Sequence, residues 1–391
     1  MGDLLETMTL DRLRARTSVR WSHYPDDVLA LWVAEMDVPL AEPVRRAVQG
    51  LLDASDTGYP PGRGELAEAF AGFAARRWGW AVDPAATREL TDIMTALDTA
   101  VAVLTDPGDV VVVPTPVYGP FLVHTRANGR VVETVALRDG RLDLDALADA
   151  FAGVRARRPN GRVALLLCNP QNPTGVVHTR AELEALAALA AQHDVRVVSD
   201  EAHAQLVLPG ATFVPYVDVD PRGLALHSAA KTWNLAGFKS ALLVAGAEAR
   251  ADLARVPAHL SDAVGHVSLV AHTAAYRDGE AWLDELLPAL VRRRDLLVEL
   301  VATHLPGARM RVPEATYLAW IDLRAAGADG AGLGDDPARA FLERGRVALS
   351  QGSVFGPGGE GHVRLNYASS EAVLREAVAR MGRVLEGTAR A

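Results

Sequence analysis

The stretch GRVALLLCNPQNPTGVVHTRAELEALAALAAQHDVRVVSDE, residues 161–201, contains two apolar runs separated by a helical pattern. The runs at 161–170 and 195–201 are continuously apolar rather than alternating, which is typical of strands buried on both faces. Residues 179–193 have the periodicity and composition of a helix, with Thr179 placed as its N-cap. A strand, a helix and a strand at this spacing predict an α/β fold.

Similar apolar runs at 109–114, 223–231 and 240–246 extend the predicted sheet. The chain has 391 residues, more than one ordinary core accommodates, so we expect two domains. After residue 280 a long helical pattern is followed by short strands and helices, which indicates a smaller α+β unit. We therefore predict three parts. Residues 1–45 form a segment that packs on the small domain, residues 46–285 form a large cofactor-binding domain, and residues 286–391 form the small domain.

Composition excludes several classes of function. The net charge of -9 argues against a nucleic-acid partner, because phosphates require a basic surface. Cys168 is the only cysteine, so an internal disulfide is impossible, and no pair of histidines has the spacing of a metal site. The N-terminus has no secretory signal, and no apolar stretch reaches the roughly 18 residues of a membrane helix. We expect a cytoplasmic protein without a membrane partner.

Chemically useful side chains follow four of the apolar runs. Ligands of open α/β sheets bind beyond the carboxyl ends of the strands. In chain order, the runs are followed by Tyr118, Asn172, Asp200 and Lys231. If these strands are neighbours, an aromatic ring, an amide, a carboxylate and an amine share one crevice.

Lysine is rare in this chain. Only Lys231 and Lys239 are present, and arginine is used elsewhere. Arginine does not deprotonate in proteins, whereas a buried lysine can lose its proton and become a nucleophile that forms an imine with an aldehyde. A carboxylate can pair with a pyridinium nitrogen, an amide can bind a phenolate oxygen, and an aromatic side chain can stack on a ring. Together these groups are suited to pyridoxal 5′-phosphate.

The motifs of the chain resemble a known family from about residue 20 to the C-terminus. They are WVAEMDVPLAEPV (32–44), GYPPGRGELAEAF (58–70), PTPVYGPF (114–121), CNPQNPTG (168–175), VVSDEAHAQL (197–206), HSAAKTWNLAGFKS (227–240), ATYLAWIDL (315–323) and GPGGEGHVRLNYA (356–368). The chain resembles fold-type I pyridoxal-phosphate enzymes of the class I/II aminotransferase superfamily. Within it, the chain is most similar to the cystathionine β-lyase group that includes the maltose-regulon modulator. The resemblance implies an aminotransferase-like large domain with a mainly parallel sheet between helices, plus a smaller α+β domain.

The resemblance also implies roles for individual residues. Lys231 matches the catalytic Schiff-base lysine, and Asp200 matches the partner of the pyridinium nitrogen. Asn172 matches the donor to the phenolate oxygen, Tyr118 matches the stacking aromatic, and His203 occupies a position where many aminotransferases have tyrosine. His203 is assigned to the cofactor site without a defined role.

A second group of residues is expected at the cofactor phosphate. Ser228 and Lys239 flank it, and Ile93 and Met94 begin a helix whose backbone N–H groups can bind an anion. Asp92 beside a dianion is unfavourable, so we interpret it as a helix cap that faces away.

The substrate site is expected to involve residues from distant parts of the chain. Arg364 matches the arginine that binds the α-carboxylate, a task suited to its planar fork, and Asn172 and Val38 are assigned beside it. Tyr59 matches a catalytic tyrosine that the neighbouring subunit contributes, which implies a homodimer with shared active sites.

The resemblance favours β-elimination from cystathionine or a cysteine S-conjugate, releasing a thiol, pyruvate and ammonia. Three alternatives remain open at this point. The first is an aminotransferase of an aromatic or histidinol-phosphate-like amino acid, and the second is a specialised biosynthetic enzyme of the same fold. The third is a regulatory binding protein. The sequence does not identify the sulfur substituent of a substrate.

Overall fold

The computed structural model describes residues 2–60, 64–327 and 332–388. The motif at 58–70 therefore lies partly outside the described residues, as do short parts of the predicted small domain. The strands are β1 (Leu29–Ala30), β2 (Thr87–Leu90), β3 (Val110–Thr115), β4 (Val131–Ala136), β5 (Val163–Cys168), β6 (Val195–Asp200), β7 (Leu224–His227), β8 (Ala241–Ala245), β9 (Arg309–Met310), β10 (Leu318–Asp322), β11 (Val347–Ala348), β12 (Ser350–Gln351) and β13 (His362–Asn366). The α-helices are α1 (Leu10–Arg14), α2 (Val19–Ser22), α3 (Glu42–Asp53), α4 (Glu65–Trp78), α5 (Ile93–Leu104), α6 (Pro120–Ala127), α7 (Leu144–Arg157), α8 (Arg180–Gln192), α9 (Arg250–Ala254), α10 (Ala258–Asp262), α11 (His266–Asp278), α12 (Glu280–His304), α13 (Pro337–Gly345) and α14 (Glu371–Thr388).

Within these ranges, seven strands form the main sheet in the order β2-β8-β7-β6-β5-β3-β4. Strands β3 to β7 are parallel, and β8 runs antiparallel to both of its neighbours. The predicted α/β fold with a mainly parallel sheet is thus confirmed. The four strands followed by functional side chains, β3, β5, β6 and β7, are consecutive in the sheet, as the crevice requires.

The central strands are buried on both faces, which explains their continuous apolar sequences. In β3, Val111 and Val113 belong to one apolar cluster with helices α5 and α6, whereas Val110 and Val112 belong to another with α7 and α8. Helix α8 begins at the predicted cap: Thr179 and Glu182 form a reciprocal capping box. The sheet is therefore held between two helical layers.

The reversed direction of β8 places additional residues at the same edge of the sheet. Because β8 is antiparallel to β7, its first residue lies near the end of β7. Lys239 and Ser240, directly before β8, consequently lie at the edge where the parallel strands end. Strand β2 also ends at this edge, and Asp92 follows it and caps α5 by accepting the Thr95 N–H. The chain therefore directs six strand termini toward one crevice.

A second, antiparallel sheet in the order β12-β13-β10-β9 forms the core of the smaller unit. The N-terminal segment joins this unit, since β1 pairs with β11 and Arg293 of α12 forms ion pairs with Asp3 and Glu6. Helix α12 continues through Pro288, as its sequence predicts. The domain boundaries themselves remain predictions.

Among the described residues, none of the helices is both long and apolar enough to span a membrane.

Candidate active site

A cavity of about 280 Å³ lies at the carboxyl edge of the main sheet. Ten predicted site residues line it together: Ile93, Met94, Tyr118, Asn172, Asp200, His203, Ser228, Lys231, Lys239 and Arg364. They come from the ends of neighbouring strands, from the start of α5 and from β13 of the smaller unit. The fold thus collects in one place residues that are up to 271 positions apart in the sequence.

Lys231 provides the amine of the cavity. It follows β7, and its Nζ lies 3.5 Å from the carbonyl oxygen of Ala34. Burial, together with the nearby Arg364 cation, lowers the pKa of Lys231 to about 8, while Asp200 opposes the shift. A substantial fraction of this amine is therefore neutral near physiological pH, as a base or nucleophile requires.

Asp200 provides a carboxylate on the same edge. It ends β6, is 6% exposed, and accepts a 3.0 Å hydrogen bond from the Ala202 N–H. Burial raises the pKa of Asp200 to about 6, although that hydrogen bond and Lys231 favour its charged form. A buried carboxylate of this kind is stabilised by a cation, which makes Asp200 a suitable partner for a protonated ring nitrogen.

Arg364 and Asn172 form a hydrogen-bonded pair in the wall of the cavity. Arg364 Nη1 donates to Asn172 Oδ1 at 3.1 Å, and Nη2 donates to the Trp32 carbonyl at 2.9 Å and to Ser350 Oγ at 3.1 Å. The Arg364 Cζ atom also lies 4.9 Å from the centre of the Phe355 ring. Burial lowers the pKa of Arg364 to about 10, so the guanidinium remains charged at neutral pH. This arrangement presents an oriented cation to an anionic substrate group.

Tyr118 and His203 contribute rings to the cavity wall. Burial raises the pKa of the Tyr118 hydroxyl, which is therefore neutral, and burial lowers the pKa of His203 to about 3. The His203 imidazole is thus neutral as well. Its Nδ1 is buried and has no hydrogen-bond partner among the described residues, so a bound molecule could supply one.

The other end of the cavity is suited to an anion. Ile93 and Met94 form the first turn of α5, where backbone N–H groups lack intrahelical acceptors. Ser228 Oγ is held by donating to the Ser240 carbonyl at 2.7 Å. Lys239 Nζ lies 3.1 Å from Asp92 Oδ2. Asp92 caps α5 as expected, but it turns one carboxylate oxygen toward Lys239 and lines the cavity rather than facing away.

Two predicted residues are not brought into this cavity. Val38 is buried outside its lining, and its carbonyl accepts a 2.7 Å hydrogen bond from Arg16. Val33 and Ala34 of the same segment line the cavity instead. Tyr59 is 96% exposed and does not line the cavity of its own chain.

Sequence reasoning missed the contacts that this N-terminal segment makes. The Ala34 carbonyl accepts from the Tyr317 hydroxyl at 2.9 Å, and Asn234 Oδ1 and Nδ2 bind the backbone N–H and carbonyl of Met36. These are long-range contacts to main-chain atoms, so no local pattern could have indicated them. Cys168 is buried and also lines the cavity.

Comparison with known proteins agrees with this geometry. A "Putative cystathionine beta-lyase" of Mycobacterium leprae is 50% identical over 97% of this chain and 98% of its own length. The cystathionine beta-lyase of Corynebacterium glutamicum is 32% identical, with 96% and 99% covered. The solved PLP-bound C-S lyase of Staphylococcus hominis superimposes with a TM-score of 0.89 at 25% identity, with 98% and 99% covered. The family described as aminotransferase class I and II matches residues 26–381, so the fold and motifs described above establish that this chain belongs to it.

Proposed function

We propose that the protein is a pyridoxal-phosphate-dependent carbon–sulfur β-lyase. Its substrates would be cystathionine or cysteine S-conjugates, and its products, after uptake of one water molecule, a thiol, pyruvate and ammonia. The observation that carries the proposal is the single cavity that joins the Lys231 amine, the Asp200 carboxylate and the Arg364 guanidinium. The relatives named as cystathionine β-lyases support the reaction class over other outcomes of the same chemistry.

The cavity fits the coenzyme on several independent grounds. Asp200 would pair with the ring nitrogen, since burial has raised its pKa and a cation would restore the charged form. Tyr118 would stack on the ring, and Asn172 would bind its phenolate oxygen. Lys239 would bind the phosphate together with the first N–H groups of α5, and Ser228 would join them by exchanging its hydrogen bond to the Ser240 carbonyl for one to the phosphate. Among the described residues, the buried Nδ1 of His203 and Nε of Arg364 have unused hydrogen-bonding capacity.

Binding and orientation of the substrate would depend on Arg364. Its Nη1 is held by Asn172 and its Nη2 by the Trp32 carbonyl and Ser350, so the plane of the guanidinium is fixed before the substrate arrives. A fixed fork binds an α-carboxylate through two hydrogen bonds and determines which bond at Cα faces Lys231.

Lys231 would then act as the base. When bound, the coenzyme supplies an electron sink next to Cα and so makes the α-proton acidic. Lys231 Nζ removes that proton, which its pKa of about 8 permits near neutral pH. For β-elimination, the Cβ–S bond breaks and its electron pair leaves with sulfur. An aminotransferase would use the same Lys231 base without loss of the sulfur group.

We also propose that the protein works as a homodimer. Tyr59 is 96% exposed and lies apart from the cavity of its own chain, so it is available to a second copy. The resemblance assigns this tyrosine to the active site of the partner subunit. A cytoplasmic location remains a prediction from the sequence.

The decisive experiment supplies cystathionine, or S-methylcysteine, without any keto acid. We expect pyruvate, ammonia and the thiol in equal amounts over many turnovers. Pyruvate-free conversion of the coenzyme to its amine form by an amino donor would show an aminotransferase and would contradict the lyase. A Lys231→Ala variant that retains cellular function would point to a regulatory binding protein.

A further inference from the structure

Two ionisable side chains lie behind the carboxyl edge of the main sheet and take no part in the proposed reaction. Glu201 follows Asp200 after β6, and His227 ends β7 directly before Ser228. Both Glu201 and His227 are 0% exposed and lie outside the lining of the active-site cavity, whereas Asp200 and Ser228 line it. Because neighbouring side chains of a strand point to opposite faces, Glu201 and His227 form a second pair behind the first.

The two side chains are in contact across the parallel strands. The Glu201 N–H donates to the Leu226 carbonyl at 2.9 Å, which extends the register in which Asp200 lies beside Leu226. Glu201 Oε2 then lies 3.0 Å from His227 Nε2. The two atoms are within ion-pair distance, but their alignment is not that of a hydrogen bond. The contact is therefore electrostatic.

The surroundings of the pair favour opposite charges. Glu201 Oε1 accepts hydrogen bonds from the Ser199 hydroxyl at 2.9 Å and from the Tyr216 N–H at 2.8 Å, which stabilise a carboxylate. The His227 ring has three aromatic rings around it, with centres 4.6 to 6.0 Å away, those of Phe70, Trp78 and Trp80. The faces of aromatic rings attract a cation at such distances. A carboxylate beside an imidazolium fits both environments.

Stability alone does not explain this pair. Well-packed apolar residues in place of a buried ion pair are often as stable or more stable, because buried charges lose their hydration. Here the contact lacks an aligned hydrogen bond, and His227 Nδ1 has no partner among the described residues. Its position offers another reason for the pair. Burial raises the pKa of Asp200 to about 6, and the Glu201 charge acts in the same direction. The Glu201 charge thus reaches the carboxylate that would hold the ring nitrogen.

We propose that Glu201 and His227 are a positioning pair for the coenzyme. The Glu201 carboxylate adds a second negative charge behind Asp200 and so strengthens the attraction for a protonated ring nitrogen. His227 partly offsets that charge and holds the ends of β6 and β7 together, which fixes the spacing of Asp200 and Ser228. The inference rests on the role of Asp200 in the proposed function, but not on which bond of the substrate breaks.

The test compares two ligands at about pH 7.5, where Asp200 is mostly ionised. The full-length apoprotein is titrated with pyridoxal 5′-phosphate and with its deaza analogue, in which a C–H group replaces the ring nitrogen. Glu201→Gln should weaken binding of pyridoxal 5′-phosphate about fivefold without weakening binding of the analogue. His227→Gln keeps a hydrogen-bond donor beside Glu201 but removes a positive charge. It should therefore bind pyridoxal 5′-phosphate at least as tightly as the unmodified protein.

Tyr216→Phe is the matched control for the loss of a buried polar contact. It removes the hydroxyl group that donates to Asp220 Oδ2 at 3.2 Å and leaves the charge behind Asp200 unchanged. Thermal unfolding measures the destabilisation of each variant, and the control should lose stability without a change in either Kd.

Three results would overturn the proposal. They are unchanged binding of pyridoxal 5′-phosphate in Glu201→Gln, equal weakening of both ligands in that variant, and weaker binding of pyridoxal 5′-phosphate in His227→Gln. Asp200→Asn separates this proposal from the proposed function. If Asp200→Asn selectively weakens pyridoxal 5′-phosphate and Glu201→Gln does not, the positioning pair alone is wrong. If neither variant discriminates between the ligands, the assignment of Asp200 to the ring nitrogen is wrong as well.

Discussion

The inner wall and the rim of the active-site cavity each contain one lysine and one aspartate, in contrasting environments. At the inner wall, burial lowers the pKa of Lys231 to about 8 and raises the pKa of Asp200 to about 6. At the rim, the Lys239 side chain is 67% exposed and pairs with Asp92 at 3.1 Å. Burial acts to raise the pKa of Asp92, but hydrogen bonds from the Thr95 N–H and Lys239 hold it below its usual value.

The comparison indicates that burial, rather than residue type, distinguishes the groups that could take part in proton transfer from those that could bind an anion. Desolvation destabilises the charged form of each inner group. It therefore favours the neutral amine of Lys231, and it makes the Asp200 carboxylate more stable when a cation lies beside it. The rim groups form an ion pair that is open to solvent, and within this pair the Lys239 side chain is placed to attract an anion. The following predictions test this division.

The largest effect is expected for Lys231→Ala. Without the amine, the cavity loses the proposed base beside Ala34, so kcat should fall by about 10³-fold or more. The rate of pyruvate formation from S-methylcysteine measures this loss of kcat. Lys239→Ala is the matched control and should retain most of the activity. Equal losses in the two variants would contradict the distinction between wall and rim.

The next effect concerns the two aspartates. Asp200→Asn removes the buried carboxylate that would hold a protonated ring nitrogen, and we expect kcat to fall by about 10²-fold. Asp92→Asn keeps the helix cap, because asparagine is also a good N-cap, and should change kcat by no more than about twofold. Coenzyme content of both variants is checked by absorbance. An Asp200→Asn enzyme of normal kcat and full coenzyme content would exclude the assigned role.

The pH dependence of kcat/KM should report Lys231. Its pKa in the substrate-free chain is lowered to about 8, so the neutral amine predominates above that pH and is lost as the pH falls. We therefore expect kcat/KM to decrease about tenfold per pH unit below about pH 8. Initial rates between pH 6 and 9.5 measure the profile. The midpoint should be the same in Lys239→Gln, whose changed charge lies at the rim, and a flat profile would contradict the assignment of Lys231 as the base.

The inner wall was predictable from the sequence because its residues follow strands with a strong signal. Strands buried on both faces are continuously apolar, so β3 and β5 to β8 were recognisable, and the candidate residues after them line one cavity. Strand β4 was missed because it lies at the edge of the sheet, where Val131 is 45% exposed. Strand β2 is short and contains Arg88 and Glu89, so it has no apolar run.

The N-terminal part of the site was less predictable. Val38 was assigned to the substrate, but the segment turns so that Val33 and Ala34 line the cavity. Its position is determined by hydrogen bonds between the side chains of Tyr317 and Asn234 and main-chain N–H and carbonyl groups, which almost any residue at these positions provides. The role of Tyr59 remains a prediction, because it concerns a second copy of the chain.

The smallest effects are expected at the rim, and their opposite signs provide the sharpest test. Lys239→Gln removes a solvated charge near the proposed phosphate and should weaken coenzyme binding about two- to fivefold, the range of an exposed charge pair. Asp92→Asn releases Lys239 from its partner and removes a negative charge from the same place, so coenzyme binding should become equal or slightly tighter. Equilibrium titration of the apoprotein with pyridoxal 5′-phosphate, followed by absorbance, measures both Kd values. Arg126→Gln, an exposed arginine outside the cavity, is the control for net charge. If both rim variants weakened binding equally, the Lys239–Asp92 pair would be acting as one structural unit, and Lys239 would lose its assignment as a separate phosphate contact.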